Sequence, residues 1–144
     1  MLAYSMNLMK RRYFKSTLIL VSCLLVSSCE PRLNAKILAG YPPTFHFDGN
    51  DKMRHFFVCP ELPEDQRGEA NAIWQIAPDS AHESSWPVDI TYGTLPPGFS
   101  QITPRNGVKP PALEEGNRYT YHFVRGLGLG GGAFTIREGT AVEQ

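Results

Sequence analysis

Three cysteines, four histidines, a glycine-rich run and several paired carboxylates are the groups in this 144-residue chain whose types and spacing suit chemistry. A cysteine works as nucleophile or metal ligand through its thiolate, which needs an electropositive, partly exposed setting. Cys59, in Phe56-Phe-Val-Cys59-Pro60, ends an apolar strand-like run and is expected to be a small buried hydrophobe. Of the histidines His46, His55, His82 and His122, three fall in strand-like segments, and His46 shares a strand face with Asp48. Strand imidazoles can converge on a metal. No two of these histidines have the i,i+2 or i,i+4 spacing that would bring a pair together, so half-buried or surface polar roles are expected. Gly126-Leu-Gly128-Leu-Gly-Gly131 matches G-x-G-x-x-G. The dinucleotide fingerprint requires a helix directly behind it, whereas Gly132 leads into the strand-like Ala133-Phe-Thr-Ile136. The run is read as a long glycine loop joining the last two strands. Leu127 and Leu129 stand at its tip, either as an exposed contact site or folded back on the core. There is no G-x-S-x-G elbow, and Glu64-Asp65 and Glu114-Glu115 lie in turn-like segments. No catalytic residue, metal ligand or cofactor site is assigned, and the chain is not read as an enzyme.

The elements that would carry these groups begin with a change of composition at Cys29. Four of the 14 basic residues precede it (Lys10, Arg11, Arg12 and Lys15), and none of the 14 acidic ones does. All 13 glycines and all 12 prolines follow it. The formally neutral chain is therefore a basic leader joined to a body of net charge −4. That mildly acidic body lacks the basic stripe nucleic-acid binding needs. Residues 1–28 have the order of a secretory signal: a basic cluster, the ten-residue apolar run Thr17-Leu-Ile-Leu-Val-Ser-Cys-Leu-Leu-Val26, then small residues. A helix over residues 17–28 would be about 18 Å long, short of the ~30 Å hydrocarbon core. Met1, Met6 and Met9 are all candidate starts.

The end of the signal, Leu25-Val26-Ser27-Ser28-Cys29, resembles the lipobox of bacterial lipoprotein precursors. The resemblance implies a diacylglycerol thioether on the Cys29 thiol, cleavage before Cys29, and acylation of the new amine. Three acyl chains exceed what stable anchoring needs. Leu20-Val21-Ser22-Cys23 fits the same pattern. Cys29 is preferred, because cleavage before Cys23 would strand Leu24-Leu-Val26 on the mature protein. With Cys23 removed and Cys29 alkylated, Cys59 would be the remaining free thiol in an oxidising compartment. Glu30 follows Cys29, rather than the Asp that resembles an inner-membrane retention signal. In a Gram-negative host this implies the outer membrane, facing the periplasm.

Residues 29–43 are expected to be the lipidated N-terminus and a tether, with a short edge strand at Lys36–Ala39, and residues 140–144 a C-terminal tail. Between them, residues 44–139 show short alternating or aromatic runs separated by turn clusters. Thr44-Phe-His-Phe-Asp48 and the run from Lys52 to Cys59 read as a hairpin. Further strands are expected around Ala72–Ala77, Trp86–Tyr92, Gly98–Thr103, Arg118–Val124 and Ala133–Ile136. Six or seven such strands predict an all-β chain forming one small β-sandwich. Leu113, Gly116 and Tyr119, each three residues apart, resemble the tyrosine corner of fibronectin type III and related immunoglobulin-like domains. The resemblance implies a positive φ at Gly116 and a Tyr119 hydroxyl reaching back to upstream backbone. An immunoglobulin-like or transthyretin-like sandwich is expected. The functional expectation is a lipid-anchored, non-catalytic binding or structural module of the envelope with an unidentified protein partner. The alternatives are an immunity-type lipoprotein that blocks a toxin, or an envelope hydrolase or metal-dependent enzyme.

Overall fold

A computed structural model describes residues 35–48, 52–63, 66, 68–79, 89–126 and 128–144. The signal segment, Cys23, Cys29, Trp86, His82 and Leu127 lie outside the described residues. The rest is an all-β sandwich of two antiparallel sheets. The strands are β1 (Ala35–Leu38), β2 (Thr44–Phe47), β3 (Met53–Pro60), β4 (Trp74–Pro78), β5 (Asp89–Thr91), β6 (Phe99–Thr103), β7 (Arg118–Arg125), β8 (Gly128–Arg137) and β9 (Thr140–Glu143). The small sheet has the order β1-β2-β5 and the large one β6-β4-β3-β7-β8-β9.

The two-residue periodicity of the strands explains why the sheets face each other. Phe45 and Phe47 on β2 are fully buried, as are Phe56 and Val58 on β3, Trp74 and Ile76 on β4, and Tyr121 and Phe123 on β7. Phe45 joins the layers: its ring lies 4.9 Å from Phe56, 4.9 Å from Tyr121 and 5.7 Å from Phe134. Each such burial stabilises by roughly 1.5–3 kcal/mol. On β3 the pairing with β7 shifts register between Met53 and His55. The extra residue, Arg54, lets Met53 and Phe56 both reach the core although they are three apart.

The expected hairpin between β2 and β3 does not form, because β2 belongs to the small sheet and β3 to the large one. Their apolar faces meet through Phe45, Phe47 and Phe56 instead of their edges pairing. Both expected domain limits move outward. The first strand starts at Ala35, and Thr140–Glu143 is a strand paired with the end of β8 rather than a tail. The turn between them carries Glu138 at φ 53° and Gly139 at φ 67°, the pattern of a tight type I′ hairpin. The Glu115 carboxylate accepts the N–H groups of both Glu138 (2.6 Å) and Gly139 (3.2 Å). The tyrosine corner is present. Gly116 has φ 80°, and the Glu114 N–H donates to the Tyr119 hydroxyl at 2.9 Å. The proline-rich connection before it is pinned by two more tyrosines. Tyr92 Oη donates to the Pro111 carbonyl at 2.8 Å, and Tyr41 Oη bonds the Leu113 backbone.

Candidate functional site

From Gly128 onward the glycine run is a strand, not a loop. All eight residues from Gly128 to Thr135 pair in register with β7, from Arg125 opposite Gly128 to Arg118 opposite Thr135. Glycine is ordinarily a poor strand residue. Here the spaces it leaves are filled by rings from the neighbouring strand. On the inner side, a Cβ on Gly132 would stand 2.7–2.9 Å from the Tyr121 ring and hydroxyl. That vacancy lets Tyr121 lie across β8 and donate to the Ala35 carbonyl on β1 at 3.2 Å. Burial disfavours its phenolate and, with the nearby Glu143 carboxylate, pushes the hydroxyl pKa up to about 12. On the outer side, a Cβ on Gly131 would meet the Tyr121 carbonyl at 2.5 Å and His122 Nδ1 at 3.2 Å.

These contacts build a face on the outside of the large sheet. One row across the strands runs Gln75, Phe57, His122 and Gly131, and a second runs His55, Val124 and Leu129. Directly opposed residues of an antiparallel pair project from the same side of the sheet. The His122 imidazole stacks on the Phe57 ring, with centroids 5.1 Å apart and planes 22° from parallel. Leu129 is 74% exposed, more than the other large apolar side chains among the described residues. The far end of the face is closed by the turn at Glu69–Asn71. There Gln75 Nε2 donates to the Glu69 carboxylate, and the Cys59 thiol donates to the Gly68 carbonyl at 3.4 Å. Burial raises the Cys59 pKa, so the thiol stays protonated, as expected of a buried hydrophobe.

The other candidate groups do not join this face. His46 lies on the small sheet, with Nδ1 hydrogen-bonded at 2.7 Å to Asp89 and Nε2 3.6 Å from Asp48. Its neighbours Thr44 and Thr91 bond each other through their hydroxyls at 2.9 Å. His46 and Asp48 do share a side, but His46 is on a different sheet from His55 and His122. Among the described residues no group of three or more His, Cys, Asp or Glu is placed to hold a metal. Near the tyrosine corner an open groove of about 480 Å³ is lined by Pro60, Glu61, Glu114, Asn117, Arg118 and others. Its polar side chains pair among themselves, Arg118 with Glu61 at 2.9 Å and Asn117 with Glu114 at 2.8 Å.

No family model matches this chain, nor does any curated protein or solved structure compared with it. Leu129, singled out in the sequence, is on it; Leu127 and Cys29 lie outside the described residues. Phe57, His55, His122 and Val124 were not singled out as a group. They come from two segments, and only the register of β3 against β7 brings them together, with β8 adding Leu129 beside them. The signal that could have found them was the odd apolar and aromatic content of the solvent side in Phe56-Phe57-Val58 and Phe123-Val124.

Proposed function

We propose that this protein is a lipoprotein of the bacterial cell envelope, held by acyl chains on Cys29 and facing the periplasm, whose body is a non-catalytic protein-binding module. The observation that carries the reading is the order of the leader: a basic cluster, a ten-residue apolar run, then Leu25-Val26-Ser27-Ser28-Cys29. The body starts soon after, with β1 at Ala35. Six residues span at most about 20 Å when fully extended, so the sandwich would work close to the bilayer. Its net charge of −4 would not attract an anionic lipid surface, which leaves the acyl chains as the anchor. No helix of the described residues is long and apolar enough to cross a membrane.

Support for a binding role comes from the outer face of the large sheet. Such a face is normally polar where it meets water. Here it offers the exposed Leu129 beside the half-buried Val124 and Phe57–His122 stack. The groups with catalytic potential are engaged structurally, His46 between two aspartates and Cys59 against the Gly68 carbonyl. Fractionation of cells producing the full chain and its Cys29→Ala variant tests the anchoring. The parent should carry radiolabelled palmitate and sediment with membranes, and the variant should lose the label and its membrane association. A parent that carries no label, or a variant that keeps it, would refute the lipoprotein reading.

A further inference from the structure

The direction in which β1 enters the sandwich limits which end of the body can meet a membrane. Two hydrogen bonds give that direction. The Gly40 carbonyl accepts from Ala141 N–H at 3.4 Å, and Ala141 pairs with Ile136. The Ala35 carbonyl accepts from the hydroxyl of Tyr121, which pairs with Gly132. Phe47, opposite Ala35, packs on Phe123, opposite Gly130, with ring centroids 5.0 Å apart. Traced back towards its start, β1 therefore runs from the level of Ile136 to that of Gly132, heading for the end where β7 turns into β8. From Gly132 to the start of β8 at Gly128 is about 13 Å along the strand, whereas the Glu138-Gly139 turn at the opposite end is about 23 Å away. The six residues from Cys29 to Asn34 span at most about 20 Å. An acylated Cys29 can thus reach a bilayer beyond the first end, but not one beyond the second.

We infer that the sandwich rests on the lipid surface by the end that carries the β7–β8 turn, with Leu129 at the acyl–headgroup boundary and Lys52 and Arg54 among the phosphates. This deepens the lipoprotein reading and rests on it. Leu129 is 74% exposed at this end. Lys52 flanks the turn, its carbonyl accepting the Gly126 N–H at 2.9 Å, and both Lys52 and Arg54 are exposed. Cations beside an exposed apolar side chain suit a membrane interface, where phosphates take the charge and acyl chains the carbons. The nearby carboxylates are engaged, Asp48 with His46 Nε2 at 3.6 Å and Asp79 with the Ser100 hydroxyl. Side-chain chemistry alone would not choose this end. At the opposite one, the connection from β6 to β7 exposes Val108 beside Lys109. The tether makes the choice. Each basic residue strengthens binding to an anionic surface only about fivefold, so the contact orients a body that the acyl chains already confine. The Phe57–His122 stack, farther from the bilayer than Leu129, is left for a protein partner.

Photo-crosslinking in intact envelopes tests the orientation with the full chain. A benzophenone side chain replaces Leu129 in one sample, Lys52 in a second and the far-end Lys109 in a third, all three exposed. The cells are fed radioactive phosphate, which marks phospholipids but not a diacylglycerol anchor. Probes at 129 and 52 should put phosphorus label on the chain, and the probe at 109 should not. Two near-end positions keep the test decisive where one substitution disturbs folding. Label at 109 equal to that at 129 and 52 would overturn the orientation. A 129-specific product containing a protein, whether a second copy or another chain, would overturn lipid as the occupant. The absence of phospholipid product at both near-end positions would do the same. Palmitate on the chain is measured in the same cells. Where it is present, these outcomes count against the orientation alone; where it is absent, the anchoring falls and the orientation falls with it.

Discussion

The two halves of β8 are one continuous strand held in different ways. From Phe134 to Arg137 it has a neighbour on each side and puts its own Phe134 and Ile136 into the core. From Gly128 to Ala133 it has one described neighbour, and the side chains that pack over it belong to β7. Tyr121 covers it from inside and His122 from outside. The first arrangement draws its stability from apolar area buried by the strand itself. The second draws it from a ladder plus borrowed rings, and directs backbone groups to a side where no described strand lies. Glycine weakens a strand when nothing replaces its side chain. In this sandwich the replacement comes across the ladder, and among the described residues no strand lies beyond that edge.

The sharpest way to break this contrast is to remove a side chain from one half and add one to the other. Phe134→Ala deletes a fully buried ring that touches Phe45 and Tyr119, and should cost about 3–5 kcal/mol in urea or thermal unfolding. Gly132→Ala adds a single methyl group and should still cost about 1–3 kcal/mol, because the Tyr121 ring must shift and loosen its bond to Ala35. A Tyr121→Leu background separates this from backbone propensity. There the added cost of Gly132→Ala should fall towards zero, and an undiminished cost would show that the ring is not what glycine makes room for.

Alkaline titration probes the same ring without mutation. Burial is the larger cause of the raised Tyr121 pKa, and Tyr92 is shifted upward as well, again chiefly by burial. A tyrosine whose folded pKa exceeds its unfolded value of about 10 contributes fully below pH 10. Between pH 10 and about 12 the unfolded state loses its proton first, so stability falls as pH rises. The slope should reach at most about 1.4 kcal/mol per pH unit for each tyrosine. Tyr121→Phe should flatten the Tyr121 share of that slope, and an unchanged alkaline slope in the variant would refute the assignment.

The sandwich itself was legible because its core positions alternate. Phe45 and Phe47, Trp74 and Ile76, and Tyr119, Tyr121 and Phe123 announce buried faces at period two. So was the corner, since Gly116 and Tyr119 supply the positive φ and the hydroxyl that it requires. Gly128 to Gly132 was not legible as strand, because its fitness for a strand resides in Tyr121 and His122, on a different segment. The same holds for β9. The Glu138-Gly139 turn is stabilised by Glu115, 23 residues upstream of Glu138, and no local pattern records that contact. The pairing of β2 with β3 failed for a related reason: two short apolar strands with a turn between them can meet edge to edge or face to face. Only the position of the small sheet decides which.

The smallest expected effect on stability belongs to Leu129, the most exposed large apolar side chain among the described residues. Leu129→Ser removes a side chain that is 74% exposed in a single copy, and should change unfolding free energy by no more than about 0.5 kcal/mol. If Leu129 instead folded back on the core, the loss would approach the roughly 2–5 kcal/mol of a buried leucine. Hydrogen exchange then distinguishes the two kinds of backbone group within the same half-strand. The amides of Gly130 and Gly132 face β7 and should be protected in the isolated copy, whereas those of Leu129 and Gly131 should exchange quickly. Equal protection of all four amides in the isolated copy would mean that the edge is already covered, and the contrast between the two halves of β8 would fall with it.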